Sequence, residues 1–244
     1  MKKRIASIVM GLVALPGVAV AAGGGANLMH MDVDYSKEAL RDGAKTFVNN
    51  CMGCHNAKYF RLKNLVKDLG MDKSVVEDEL MYGTASVNDH MMSSMAQEDG
   101  EKWFGAAPPD LSLVTRVRGS DWVYSYLLGF YPDHGSATGW NNQVFPMVSM
   151  PNVMVHMTEG SHGYYTEDMA EAVSHAHSED GHFEYPEVPE KLDGKVQNLV
   201  SFLTYVGDPS KLQRASMGPW VIGFLVLMIV LTYLVKKEYW RDIH

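Results

Sequence analysis

The sequence predicts a mostly α-helical domain, enlarged by long loops and held on one C-terminal membrane-spanning helix. Three observations predict it: apolar stripes at helical spacing, an uncharged apolar run near the C-terminus, and turn-rich passages of weak periodicity between them. The 244 residues allow one large or two small domains, and a chain 46% apolar and 20% charged has the composition of a folded protein. Lys+Arg 21 against Asp+Glu 29 leaves a net charge of −8, which argues against a nucleic-acid partner, since phosphate binding is driven by basic residues.

The chain opens on Lys2, Lys3 and Arg4, continues apolar from Ile5 to about Val20, and carries Ala19 and Ala21 in the A-x-A pattern of a secretory cleavage site. Residues 1–21 therefore read as a leader, with the mature chain starting near Ala22. The alternative is an uncleaved anchor, although the strongly apolar part is shorter than the ~20 residues a spanning helix needs. On both readings the next two hundred residues leave the cytoplasm.

Between Ser36 and Asn50, the residues Leu40, Ala44, Phe47 and Val48 form one helical face behind Ser36, a suitable N-cap. A helical stretch is expected around Ser74 to Tyr82, a break at Gly105-Ala106-Ala107-Pro108-Pro109, and a helix from about Ser120 to Phe130. Tyr131 to Pro151 reads as a long loop, and such loops in compact domains are commonly functional. Thr158 to Glu190 is polar and reads as a surface excursion. His175 and His177, two apart, would share a face only on a strand, so His162, His175, His177 and His182 receive no role. Val196, Leu199, Val200 and Leu203 mark a last amphipathic helix ending near Gly207-Asp208-Pro209.

Met217 to Val235 is 19 residues without a charge. At ~1.5 Å per residue it spans about 28 Å, close to the ~30 Å hydrocarbon core of a bilayer. Trp220 at one end and Tyr233, Tyr239 and Trp240 around the other fit interfacial aromatic belts. Lys236, Lys237 and Arg241 come directly after, which puts the tail 236–244 in the cytoplasm.

The chain's two cysteines stand in Cys51-Met52-Gly53-Cys54-His55, the attachment motif of c-type haem. On a helical turn, positions i, i+3 and i+4 share a face, so two thiols can bond the haem vinyl groups while the imidazole reaches the iron from the same side. A thioredoxin-like dithiol would need a βαβ pattern that is not seen, and a zinc site would need ligands beyond this pair. The cofactor is thus one covalently bound haem c, with Cys51 and Cys54 as attachment points and His55 as axial ligand. The sixth iron position then decides the chemistry: a sulfur ligand closes it for electron transfer, whereas an open position allows ligand binding. Met147, Met150 and Met154 are the candidates in the long loop, with Met91, Met92 and Met95 further off. Pro146 and Pro151 bracket Met150.

Beyond the haem motif, the chain resembles the cytochrome c1 family, the haem c subunits of cytochrome bc1 complexes. The resemblance rests on Cys51-Met-Gly-Cys-His-Asn-Ala-Lys-Tyr-Phe-Arg61, on Ala107-Pro-Pro-Asp-Leu-Ser112 with Arg116 and Arg118 after it, and on Asp121-Trp-Val-Tyr-Ser-Tyr-Leu-Leu-Gly-Phe130. Asn142-Gln-Val-Phe-Pro146, Met150-Pro151, the Asp208-Pro209 helix end and the C-terminal anchor extend it over most of the mature chain. It implies that residues 22–216 form an enlarged cytochrome c-type haem domain with Met150 as the distal ligand. Met154 is the second choice, because the stretch from Pro146 is shorter than in mitochondrial members. It further implies that Arg118, or Arg116 as second choice, pairs a haem propionate and that Pro109 packs against the haem edge.

By the same resemblance, the partners are a cytochrome b subunit, a Rieske iron–sulfur subunit and a cytochrome c acceptor, within a dimeric assembly in a bacterial inner membrane, the haem domain in the periplasm. The chain itself is expected to be a redox subunit without catalytic side chains. The rival readings are a free-standing anchored electron shuttle, and a haem enzyme or gas sensor with an open sixth position.

Overall fold

The computed structural model describes residues 28–81, 86–157 and 187–241. The leader and the His-rich segment 161–182 lie outside the described residues. In chain order the elements are α1 (Lys37–Asn50), β1 (Ala57–Arg61), α2 (Lys63–Lys67), α3 (Lys73–Glu79), β2 (His90–Met91), α4 (Gln97–Phe104), α5 (Val114–Arg118), α6 (Ser120–Leu128), β3 (Phe130–Pro132), β4 (Trp140–Asn142), a 3-10 turn (Val153–Met157), α7 (Glu190–Gly207) and α8 (Lys211–Tyr239). The fold is mostly helical, as expected.

The helix α1 starts where the sequence places it: Ser36 accepts the Ala39 amide at 3.3 Å, satisfying one of the amides that a helix N-terminus leaves without partners. Its face of Leu40, Ala44 and Phe47 is fully buried against α7, which presents Val196, Leu199, Val200, Phe202 and Leu203. The two helices meet at Gly43. A Cβ there would stand 2.0 Å from the Asn198 carbonyl oxygen, so only glycine lets them come this close. Below the crossing, Phe60 from β1 packs edge-on to Phe202 and to Tyr205, with ring centroids 5.8 and 5.5 Å apart, and ties the first strand to the helical core.

Two predicted boundaries move. The long loop after α6 contains an antiparallel pair, Phe130 to Pro132 against Trp140 to Asn142, too short for a period-2 signal to emerge. The last helix, expected from Met217, begins at Lys211 and runs through Pro219. Pro219 is the ninth residue of that helix, past the first four amides, so its missing N–H forgoes one interior hydrogen bond and its ring crowds the carbonyl four residues back. The apolar stretch of α8 is solvent-exposed in the described structure and long enough to cross a bilayer, from Ser216 to Tyr239.

Candidate haem site

The haem motif sits on the turn that ends α1. Cys51 caps the helix, its amide donating to the Phe47 carbonyl at 2.9 Å, and the chain then folds back so that the amides of Cys54 and His55 both donate to the Cys51 carbonyl, at 3.1 and 2.8 Å. This tight turn gathers both thiols and the imidazole within five residues. Cys51 is buried while Cys54 and His55 are half-buried.

The imidazole is aimed by a residue 54 positions further on: His55 Nδ1 lies 2.8 Å from the carbonyl oxygen of Pro109. With Nδ1–H donating there, Nε2 becomes the nitrogen that can bind iron, and the bond to the carbonyl fixes the tautomer and orientation of the ring. Burial holds the His55 pKa below its ordinary value, against the opposing pull of the Pro109 bond and the nearby Asp110 charge, so the ring is neutral, as a metal ligand must be. Burial also pushes the Cys51 thiol up to about 12, with the neighbouring Cys54 adding to the rise. Activated redox dithiols have a lowered pKa, so this is the opposite of a thioredoxin-like site. Among the described residues no group of three or more His, Cys, Asp and Glu side chains could hold a bare metal ion.

Pro109 is exposed, but the segment around it is pinned to the chain beyond the haem motif. Asp110 accepts the amides of Lys58 at 2.9 Å and Ser112 at 3.0 Å; Ser112 Oγ accepts the Tyr59 amide at 3.1 Å; and the Leu111 amide donates to the Asn56 carbonyl at 2.8 Å. Asn56 in turn accepts the Ser93 amide at 2.7 Å. These side chains hold the Pro109 carbonyl in place, and sequence reasoning singled out only Pro109 among them. The one available signal was Pro-Pro-Asp-Leu-Ser itself, with Asp and Ser suited to bonding nearby backbone.

The sulfur loop is built differently. Buried Asn142 donates from Nδ2 to the Tyr126 carbonyl at 2.7 Å and accepts the amides of Val144 and Phe145, while Asn141 accepts the amide of Met147 at 2.8 Å. The loop they shape turns at Met147, exposed and left-handed at φ 58°, and comes back to Met150, whose sulfur lies 3.4 Å from the Tyr126 hydroxyl. Met154 is 3% exposed and belongs to the hydrophobic core.

The two arginines have different surroundings. Arg116 donates to the Gly207 carbonyl at 3.3 Å and lies 3.9 Å from the Asp208 carboxylate, bracing the end of α7. Arg118 instead lies over the Trp122 ring, 4.9 Å from its centroid, at the turn where Gly119, at φ 93°, separates α5 from α6. A cleft of about 330 Å³ lined by Val48, Asn49, Met52, Gly53 and Ser94 opens beside the motif.

This donor set, two thiols and a neutral imidazole on one turn with a thioether on a separate loop, fits a covalently held haem. Comparison with known proteins agrees. A model of the Cytochrome C1 family matches residues 28–243. The chain belongs to the cytochrome c1 family. It is 40% identical to cytochrome c1 of Allochromatium vinosum, covering 96% of both chains, and 25% identical to cytochrome c1 of Rhodospirillum rubrum over 95% of this chain and 94% of that one. It is also 36% identical to the ammonia monooxygenase gamma subunit of Nitrosomonas europaea, over 99% of this chain and all of that one. As a cytochrome c1, the protein carries a covalently bound haem c and is the electron-transfer subunit of a bc1 complex. Its one C-terminal apolar helix fits a single-pass membrane anchor.

Proposed function

We propose that this cytochrome c1 takes one electron at a time from a Rieske iron–sulfur subunit and passes it to a cytochrome c, binding no quinol itself and using no side chain as acid or base. Cys51 and Cys54 would attach the haem, His55 and Met150 would bind its iron, and Arg118 would pair a propionate. When bound, the haem supplies a one-electron couple; the chain's own residues hold that couple in place, close its sixth position and tune it. The observation that carries this reading is the His55 Nδ1 to Pro109 bond at 2.8 Å, which prepares the imidazole of a haem-attachment turn for iron.

What favours Met150 over Met154 is that Met154 is committed to the core, whereas Met150 is half-buried on a loop held by Asn141 and Asn142. What favours Arg118 over Arg116 is that Arg116 is engaged at the end of α7. A guanidinium matches a carboxylate bidentately, and a desolvated propionate without a partner would be costly. Residues 1–21 act as a removable leader, 22–216 as the haem domain in the periplasm, 217–235 as the span through a bacterial inner membrane, and 236–244 as the cytoplasmic tail. The excess of acids over bases suits a basic acceptor, since opposite fields speed encounter. The assembled complex is a dimer.

The test is purification of the tagged full chain from detergent-solubilised membranes. The reading expects haem that resists acid–acetone extraction, loss of that haem in Cys51→Ala, and recovery with a cytochrome b and an iron–sulfur protein. Recovery without partners would favour the anchored shuttle. Recovery with ammonia-oxidising subunits would assign the chain to the assembly named for its Nitrosomonas relative.

A further inference from the structure

We propose that Tyr126 is a positioning residue for the distal ligand, its hydroxyl donating a hydrogen bond to the Met150 sulfur and thereby raising the haem potential. This rests on the reading of Met150 as the axial ligand. From the sequence, Tyr126 stands in a predicted helix and in a segment that carries the family resemblance, with no role of its own.

The phenol is aimed from several sides. Its ring stacks on Trp122, with centroids 5.1 Å apart and planes 8° from parallel, and meets Phe130 edge-on at 5.2 Å. Trp122 is covered on its own account by the Arg118 guanidinium. The spacing of these four residues, 118, 122, 126 and 130, is one helical face carried past both ends of α6. At the end of this stack the hydroxyl reaches Met150 Sδ at 3.4 Å, within the range of a hydrogen bond to the larger sulfur atom.

The same residue also holds the loop from its backbone. The Tyr126 carbonyl accepts from Asn142 Nδ2 at 2.7 Å, and Asn142 Oδ1 accepts the Val144 and Phe145 amides, so the start of the sulfur loop and its ligand atom are both referred to Tyr126. A sulfur placed by a fixed donor is pre-positioned, and ordering it again on binding costs less.

The electronic consequence has a definite sign. A donated O–H draws lone-pair density from sulfur and makes it a poorer donor. The more highly charged ferric state loses more from a poorer donor than the ferrous state, so the bond favours reduction. Removing the hydroxyl should favour oxidation and tighten ferric ligation.

The experiment uses the haem-loaded full chain in detergent, comparing wild type with Tyr126→Phe, Tyr126→Leu, Tyr124→Phe and Met150→Ala. Tyr124→Phe deletes a hydroxyl on the same helix that bonds Asp193 instead. Potentiometric titration should show Tyr126→Phe displaced to lower potential by about threefold in the oxidised-to-reduced ratio, or about 28 mV for one electron. Tyr126→Leu should move the same way and Tyr124→Phe should stay at the wild-type value. Displacement of sulfur from the oxidised protein by added imidazole should need more imidazole in Tyr126→Phe. An unchanged potential and imidazole titration in Tyr126→Phe, with Met150→Ala opening the sixth position, would overturn this inference and leave the ligand reading standing. A sixth position still closed in Met150→Ala would overturn both.

Discussion

His55 and Pro109 are joined by a 2.8 Å bond between the imidazole Nδ1 and the backbone carbonyl oxygen, across 54 residues of chain. The carbonyl cannot be deleted by mutation, but the side chains that hold it can. Asp110 accepts two backbone amides, those of Lys58 and Ser112, and ties the proline segment to β1. Asp110→Ala leaves both amides without their acceptor and should destabilise the haem domain by about 2 kcal/mol. Thermal unfolding followed through the haem absorbance would measure this, and a melting temperature equal to wild type would contradict it.

Gly43 sets the distance between α1 and α7. A methyl group placed there meets the Asn198 carbonyl at 2.0 Å, a backbone atom that cannot swing aside. Gly43→Ala should therefore cost about 3 kcal/mol, at the upper end of ordinary overpacking. Denaturant unfolding measures it, and a loss under about 0.5 kcal/mol, the scale of ordinary surface changes, would mean the helices separate freely.

Much of this architecture was legible because its causes are local. Ser36 caps α1 three residues before the amide it binds, the haem motif fits within one turn, and the membrane run is unbroken apolar sequence. The elements that sequence reasoning missed depend on distant partners. The β3–β4 pair has three residues on each side, so its pairing shows only in three dimensions, and β1 meets β2 through a shifted register. Asn56, Asp110 and Ser112 act by bonding backbone 37, 52 and 53 residues away, which leaves no periodic trace. The same holds for the three sulfurs of the loop: spacing leaves them open, while core burial separates Met154 from Met150.

Near the N-terminal edge, His30 Nδ1 lies 3.0 Å from Asp121 Oδ2, and the Met31 amide donates to the other oxygen of the same carboxylate at 3.2 Å. The bond to Asp121 and its charge raise the His30 pKa above its ordinary 6.5. A raised histidine contributes stability that is fully present below pH ~6.5 and is lost as pH rises through the folded value. Histidine ring NMR signals should therefore titrate above 6.5 for His30 and return toward it in Asp121→Asn. Titration at or below the ordinary value in the wild type would show that the pair does not form.

Arg116 and Arg118 make opposite predictions. Removing a cation beside a propionate leaves that anion less compensated and favours the oxidised haem, so Arg118→Gln should lower the potential. Arg116→Gln should leave the potential unchanged and cost under about 1 kcal/mol of stability, as its interactions at the end of α7 are largely exposed. Paired redox titrations distinguish the two, and a drop confined to Arg116→Gln would reverse the assignment.

A haem closed on both sides by this chain's own ligands, His55 and Met150, is tested most directly by carbon monoxide. The reduced, haem-loaded full chain in detergent should show no spectral change under the gas, whereas Met150→Ala should bind it and Met154→Ala should not. Ready binding by the wild type, or a site opened by Met154→Ala and not by Met150→Ala, would contradict this ligation.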